Sequence, residues 1–355
     1  MLDFELAGKT YSHLNPYLIA EIGVNYEGSM QRAKAMIDQV ARAGGHAAKF
    51  QTYKADKLAA KHTSPAYWDT SKEATPSQHE LFQRFDAFGP DEYQELAQHC
   101  AKVGIDFLST PFDFDAVDYL APLMPIIKVA SADLTNIPLI RRGGKTGKPL
   151  LMSVGASSHD EIRTAIREAL AAGAERVSIM HCVLNYPTPI ANAQLSQIQV
   201  LQREFGDHVA IGYSDHVAPE ADGSMPALEV AAGYGVTVIE KHFTDNRHGV
   251  GNDHYHSMDE AGLKAFTARL GIYGQLHGDG NLHLETQAAA ISNARRRIIA
   301  TRDLVAGQVI SEADLIPLRS NVGITIDRWD EVVGAKLVRD VAGDAPIEDA
   351  DLERN

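Results

Sequence analysis

Eight short β-rich runs, each followed by a segment of helical period, constrain this chain more than any other feature. The runs cover 17–21, 47–51, 106–110, 126–130, 149–153, 176–181, 209–213 and 236–240. Between them, 28–44 carries Met30, Ala33, Ile37 and Val40 on one helical face, with Ser29 as N-cap. Segment 158–173 opens on the capping box Ser158-His159-Asp160-Glu161 and continues with Ile162, Ile166 and Leu170. Gly44, Gly104 and Gly173 stand where helices end. Alternation on this scale predicts an α/β fold, a (β/α)8 TIM barrel, with a doubly wound open sheet as the competitor. The barrel is preferred because every run ends in, or leads into, a polar residue, as a shared mouth at the strand C-termini requires.

Two connections break the rhythm. The stretch 52–88, with Pro65, Tyr67, Trp68 and Pro76, is long enough to be a functional loop or lid. The Gly/His/Asp-rich loop 247–258 follows the eighth run, and its Asp253-His254-Tyr255-His256 segment reads either as substrate-binding or as solvated. Beyond residue 285 the pattern changes. Residues 302–315 (Arg302-Asp303-Leu304 to Ala313-Asp314-Leu315) are echoed by 339–352 (Arg339-Asp340-Val341 to Ala350-Asp351-Leu352), with a compensating gap in each copy. The organisation expected is a barrel over 1–285, a linker over 286–297 containing Arg295-Arg296-Arg297, and a small β-rich domain with pseudo-twofold repetition over 298–355. A domain that small is marginal alone, so it is expected to dock on the barrel or on a partner chain.

Composition narrows the function. Hydrophobic residues make up 45% of the chain, enough for a sizeable core, and the formal net charge is −14 with no long basic run. That balance argues against nucleic acid or a membrane surface as the partner. No stretch approaches the roughly 20 apolar residues of a membrane span. Cys100 and Cys182 lack metal-type spacing. The opening residues carry no basic, apolar leader pattern, and the expectation is a cytoplasmic protein.

Polar residues at strand C-termini are the catalytic candidates of a barrel. In order they are Glu21, Lys49 with Gln51, Ser109 with Thr110, Lys128 with Ser131, Ser153, His181, Ser214 with Asp215 and His216, and Glu240 with His242. Lys49 and Lys128 sit among apolar neighbours, and a buried lysine needs an anion. Together with hydroxyls at 110, 131, 153 and 214 they suggest a cradle for a phosphorylated ligand; the alternative is a structural Lys–Glu network. His216 and His242 close consecutive runs and could hold a divalent metal such as Mn2+, Zn2+ or Fe2+, or be hydrogen-bonded core histidines. Cys182, with no Asn or Asp partner evident, reads as a core thiol.

The motifs Ala20-Glu21-Ile22-Gly23-Val24-Asn25, Lys49-Phe50-Gln51-Thr52, Ser109-Thr110-Pro111-Phe112, Lys128-Val129-Ala130-Ser131, Tyr186-Pro187-Thr188-Pro189, Gly212-Tyr213-Ser214-Asp215-His216 and Glu240-Lys241-His242-Phe243-Thr244 run in order along nearly the whole chain. In this combination they resemble the sialic acid synthase family, and the terminal repeat resembles its antifreeze-like (SAF) domain. The resemblance implies a cytoplasmic enzyme that condenses phosphoenolpyruvate with an N-acetylmannosamine-type aldose, giving a nine-carbon 2-keto-3-deoxy sugar acid and phosphate. It implies a divalent metal, Mn2+, on His216 and His242, which is also assigned a catalytic role, and Glu21 as the residue handling a water or sugar proton. Lys49, Gln51, Thr110, Lys128, Ser131, Ser153 and Ser214 would hold phosphoenolpyruvate. Tyr186, Asp253 and Arg319 would meet the acetamido-type sugar, Arg319 reaching a partner's barrel in a domain-swapped homodimer. Tyr26, Leu184, Asp133 and the Ser320-Asn321 pair after Arg319 depart from the family pattern, chiefly on the sugar side. A different aldose in surface-polysaccharide synthesis, a barrel metallohydrolase and a non-catalytic carbohydrate-binding protein are the competing readings.

Overall fold

A computed structural model describes residues 2–71, 73–251 and 253–353. The chain divides into two compact units, Met1–His277 and Gly278–Asn355. The first holds eight strands: β1 Tyr17–Gly23, β2 Ala47–Thr52, β3 Asp106–Pro111, β4 Ile127–Val129, β5 Leu150–Ser153, β6 Val177–Cys182, β7 Ala210–Asp215 and β8 Val238–His242. Their order is β3-β2-β1-β8-β7-β6-β5-β4, and every ladder is parallel. β3 and β4, the two ends of that order, lie against each other, so the sheet is nearly closed as a barrel. The TIM-barrel expectation holds, and the open-sheet competitor fails on strand order.

The strands are apolar on both faces because one side meets the helices and the other fills the barrel. The helices form where the apolar period called for them. Met30–Arg42 buries Ala33, Met36, Ile37 and Val40, and Ser29 accepts from the Arg32 amide as its cap. His159–Ala172 begins on the Ser158–Glu161 capping box and stops at Gly173, whose φ of 113° is left-handed. A hairpin of Phe4–Leu6 and Lys9–Tyr11 packs Phe4 and Tyr11 against Tyr17, with ring centroids 5.5 and 4.9 Å away, at the end opposite the strand C-termini. Among the described residues no helix is long and apolar enough to cross a membrane.

The second unit pairs Arg296–Ala300 with Leu315–Arg319 in antiparallel fashion over a core that includes Ile298, Leu304, Ile310, Leu337 and Ile347. The repeat in the sequence is a repeat in structure. Asp314 pairs with Arg302 and accepts from the Ser311 amide, while Asp351 pairs with Arg339 and accepts from the Glu348 amide. Both aspartates are buried, and Leu304 bridges Val341 across the two copies. The segment read as a linker carries a short helix, Ala288–Ala294. Arg319 is exposed at the end of its strand, beside Arg296 in register.

Candidate active site

Strand register builds the mouth. Glu21 on β1 stands opposite His242 of β8 on one side and Lys49 of β2 on the other. One step along, Gln51 stands opposite Thr110 of β3. Glu240 of β8 stands opposite Ser214 of β7. The β1 register shifts between Glu21 and Gly23. Gly23 has φ +56°, and a side chain there would press within 3.2 Å of the Gln51 amide and 3.4 Å of Glu21 Oε1. Glycine therefore leaves room for Gln51 to donate to Glu21 at 3.0 Å.

Four buried charges meet inside. Lys49 Nζ lies 2.5 Å from Glu21 Oε2 and 3.6 Å from Glu240 Oε2, and it donates to Thr110 Oγ1 at 3.1 Å. Lys128 Nζ donates to Ser153 Oγ at 2.8 Å and lies 3.9 Å from Glu240 Oε1, which accepts from Ser214 at 3.0 Å. The Lys–Glu network and the hydroxyl cradle are thus one arrangement. Burial works against the charge of Lys49, but Glu21 and Glu240 hold it above the usual lysine range. Burial pulls Lys128 down, with Glu240 opposing. Burial also opposes the charge of Glu240, yet Lys128 and Lys49 hold it low. Glu21 goes the other way: burial, reinforced by Glu240 and resisted by Lys49, raises it to about 7. Ser131 Oγ accepts from the Gly155 amide at 2.9 Å, a close approach that any side chain at 155 would obstruct.

The other side of the mouth is made of imidazoles. His216 and His242 are buried, with ring centroids 5.3 Å apart. His216 Nδ1 donates to the Val183 carbonyl at 2.8 Å, which leaves Nε2 as the ring nitrogen open to a ligand. Tyr186 packs 4.2 Å from the His216 ring. Among the described residues, His242, Asp253 and His256 each offer a donor atom within 4.8 Å of one another. The sequence pairs His216 with His242, so Asp253 and His256 are additions from the structure. Loop 253–256 is not solvated: His254 and His256 are buried, and His254 bonds to Thr244 and Glu27. Burial first, and then the neighbouring imidazoles, holds His242 and His256 well below the usual histidine range.

Both halves open into a cavity of about 470 Å3. Connection 52–88 supplies part of its wall, including Tyr67, Trp68, Glu73 and Phe82. Two of the departing residues, Leu184 and Asp133, also line it, whereas Tyr26 is core packed against Phe50 and Phe88. Cys182 is a buried thiol 3.8 Å from His216 Nδ1.

A NeuB family model matches residues 36–281, and a SAF domain model matches 295–353. The chain belongs to the NeuB family. It is 33% identical to N,N'-diacetyllegionaminic acid synthase of Legionella pneumophila, over 92% of this chain and 91% of that protein. It is 30% identical to N-acetylneuraminate-9-phosphate synthase of Drosophila melanogaster, over 93% and 94%. A solved N-acetylneuraminic acid synthetase from Leptospira borgpetersenii, in complex with citrate, superposes with a TM-score of 0.68 at 30% identity, covering 82% of this chain and 95% of that one. This NeuB-family chain is therefore an N-acetylneuraminate synthase-like enzyme built on a TIM barrel with a SAF domain.

Sequence reasoning named Glu240 as a strand-end residue but gave it no role, and the structure makes it the carboxylate shared by both lysines. The signal was its i−2 spacing from His242, which puts both on one face. His256 had no such signal, because it lies on a loop. Glu240→Ala is expected to cost about 3–5 kcal/mol at pH 7, since it leaves the buried Lys128 without a carboxylate and Lys49 with Glu21 alone. A urea midpoint equal to the parent's would show that the cavity is wet enough to solvate them.

Proposed function

We propose that this NeuB-family enzyme condenses phosphoenolpyruvate with an N-acetylmannosamine-type aldose to give a nine-carbon 2-keto-3-deoxy sugar acid and phosphate. One observation carries the reading: a lysine–hydroxyl half and an imidazole half share one cavity, with Glu21 between them. Lys49, Gln51, Thr110, Lys128, Ser131, Ser153 and Ser214 hold the phosphate and carboxylate of phosphoenolpyruvate. Glu21 and Glu240 keep the two buried lysines charged at the cavity wall, where an anion can meet them. The phosphoenolpyruvate C3 bonds to the aldehyde carbon, water adds at C2, and the C2–O bond breaks to release phosphate.

The donor set fits a divalent cation, for which Mn2+ is our assignment. His216 keeps Nε2 free, and His242 Nδ1 is buried without a hydrogen-bond partner. His216 and His242 would hold the cation, and the chemistry it would supply there is Lewis-acid polarisation of a carbonyl oxygen. Glu21 is the proton-handling group, taking a proton from the attacking water or from a sugar hydroxyl. Tyr186 and Asp253 border the sugar side. Arg319 is exposed on the second unit, which suits a residue that completes the sugar site of a partner in a domain-swapped homodimer. The cytoplasm is the compartment that suits a phosphoenolpyruvate-consuming enzyme with two free thiols.

Incubation with phosphoenolpyruvate, Mn2+ and a panel of acetamido aldoses should release phosphate only with a sugar present, and product mass identifies the acceptor. Sugar-independent release, or none across the panel, overturns the reading. On the acid side, kcat/KM should rise with pH through about 7, because Glu21 acts as a base only when ionised. Glu21→Gln should remove that limb and lower the rate by about 10²–10⁴-fold. Arg319→Ala should reduce kcat/KM for the sugar by about 10–100-fold, the loss of a charge-assisted hydrogen bond. An equal rise in the phosphoenolpyruvate KM, or a monomer by sedimentation, would count against the swapped arrangement.

A further inference from the structure

Among the described residues, His256 is accounted for neither by the barrel's core nor by the anion half of the mouth. Its side chain is fully buried, yet neither ring nitrogen has a hydrogen-bond partner. Buried polar groups left unpaired destabilise a protein unless a ligand meets them. The loop that carries it is tied down on both sides. Asn25 donates to the Phe243 carbonyl at 2.9 Å and to Ser257 Oγ at 3.2 Å, and the Ser257 hydroxyl donates to the Asp253 carbonyl at 2.6 Å. The Met258 amide donates to the His242 carbonyl at 2.8 Å. The neighbouring His254 spends both nitrogens on Thr244 and Glu27. The fold therefore satisfies one histidine of this loop and holds the other open.

What His256 faces is a set of ligand atoms. His242 Nδ1, itself without a hydrogen bond, lies 3.3 Å from Asp253 Oδ2. Asp253 Oδ1 lies 3.7 Å from His256 Nε2, and the His242 and His256 rings are 4.8 Å apart. With ligand bonds of about 2.0–2.2 Å, donor atoms around one ion sit about 3–3.5 Å apart. The contacts are too long for good hydrogen bonds and near the spacing of a coordination shell.

We infer that His256, together with Asp253, is a ligand to the same divalent cation that His242 holds, so that this chain's centre is a multi-imidazole, one-carboxylate site. The inference rests on the metal reading above and extends it. It makes the centre richer in nitrogen than His216 and His242 alone. A nitrogen-rich shell favours borderline ions such as Zn2+, Fe2+ or Co2+ more strongly.

The test uses the full chain, stripped with chelator and titrated with Co2+. Affinity is read by competition with a chromophoric chelator. Bound imidazoles are counted from hyperfine-shifted, exchangeable N–H signals in the proton NMR spectrum. His256→Phe keeps an aromatic ring between Tyr186 and Tyr255, and His256→Ala is the second variant; circular dichroism and the metal-free urea midpoint establish that each folds. The expected result is a loss of at least about 100-fold in Co2+ affinity, above the 10–100-fold that removing an outer supporting residue costs, with one imidazole N–H signal gone. If a folded His256 variant binds Co2+ within about threefold of the parent with an unchanged spectrum, while His242→Ala does not bind, the inference falls and the metal reading survives. If His242→Ala binds as the parent does, both fall.

Discussion

Four buried charges at the barrel mouth set the terms for everything around them. Glu21, Lys49, Glu240 and Lys128 come from four strands, sum to zero and have little access to water. Any one of them alone would carry a desolvation penalty of several kcal/mol, so the group stands only because register brings opposite charges together. The arrangement is uneven. Lys49 is held tightly by two carboxylates, whereas Lys128 leans on Glu240 across 3.9 Å and on hydroxyl and carbonyl oxygens. Lys128 is thus the cation with most to gain from an entering anion, and Glu21 the carboxylate nearest to neutrality.

Closure of the sheet turns that network into a divided site. Strands β2 to β5 bring the lysines and most hydroxyls, β7 and β8 bring the histidines, and β1 lies between the two sets with Glu21. A carboxylate at that seam borders both sets. Connection 52–88 and loop 253–256 supply wall on the imidazole side, beside Tyr186 and Leu184. The lysine–hydroxyl half is made of strand-borne groups, whereas the wall on the imidazole side is largely loop-borne. Loops tolerate change more readily than the strands that carry them.

Much of this was legible without coordinates. The strand runs and the Ser29 and Ser158 caps are local signals carried by residues a few positions apart, and the duplicated Arg–Asp pairs recur at a fixed spacing of 12 residues in each copy. The strand-end rule likewise exposed Lys49, Lys128, Ser214, His216 and His242 as one set. The role of Gly23 was not legible, because a register shift depends on what the neighbouring strand does. Neither was Tyr26 as core, since its partners Phe50 and Phe88 are distant in sequence.

The architecture and the chemical inventory of the mouth follow from local sequence, because hydrophobic period and strand-end polarity are written residue by residue. Which group pairs with which depends on the folded chain. Folding joined Glu240 to both lysines, seated Glu21 between a histidine and a lysine, and left His256 buried and unpaired beside His242 while satisfying His254. Those outcomes depend on barrel closure and on loop anchoring through Asn25, which bring together groups more than two hundred residues apart.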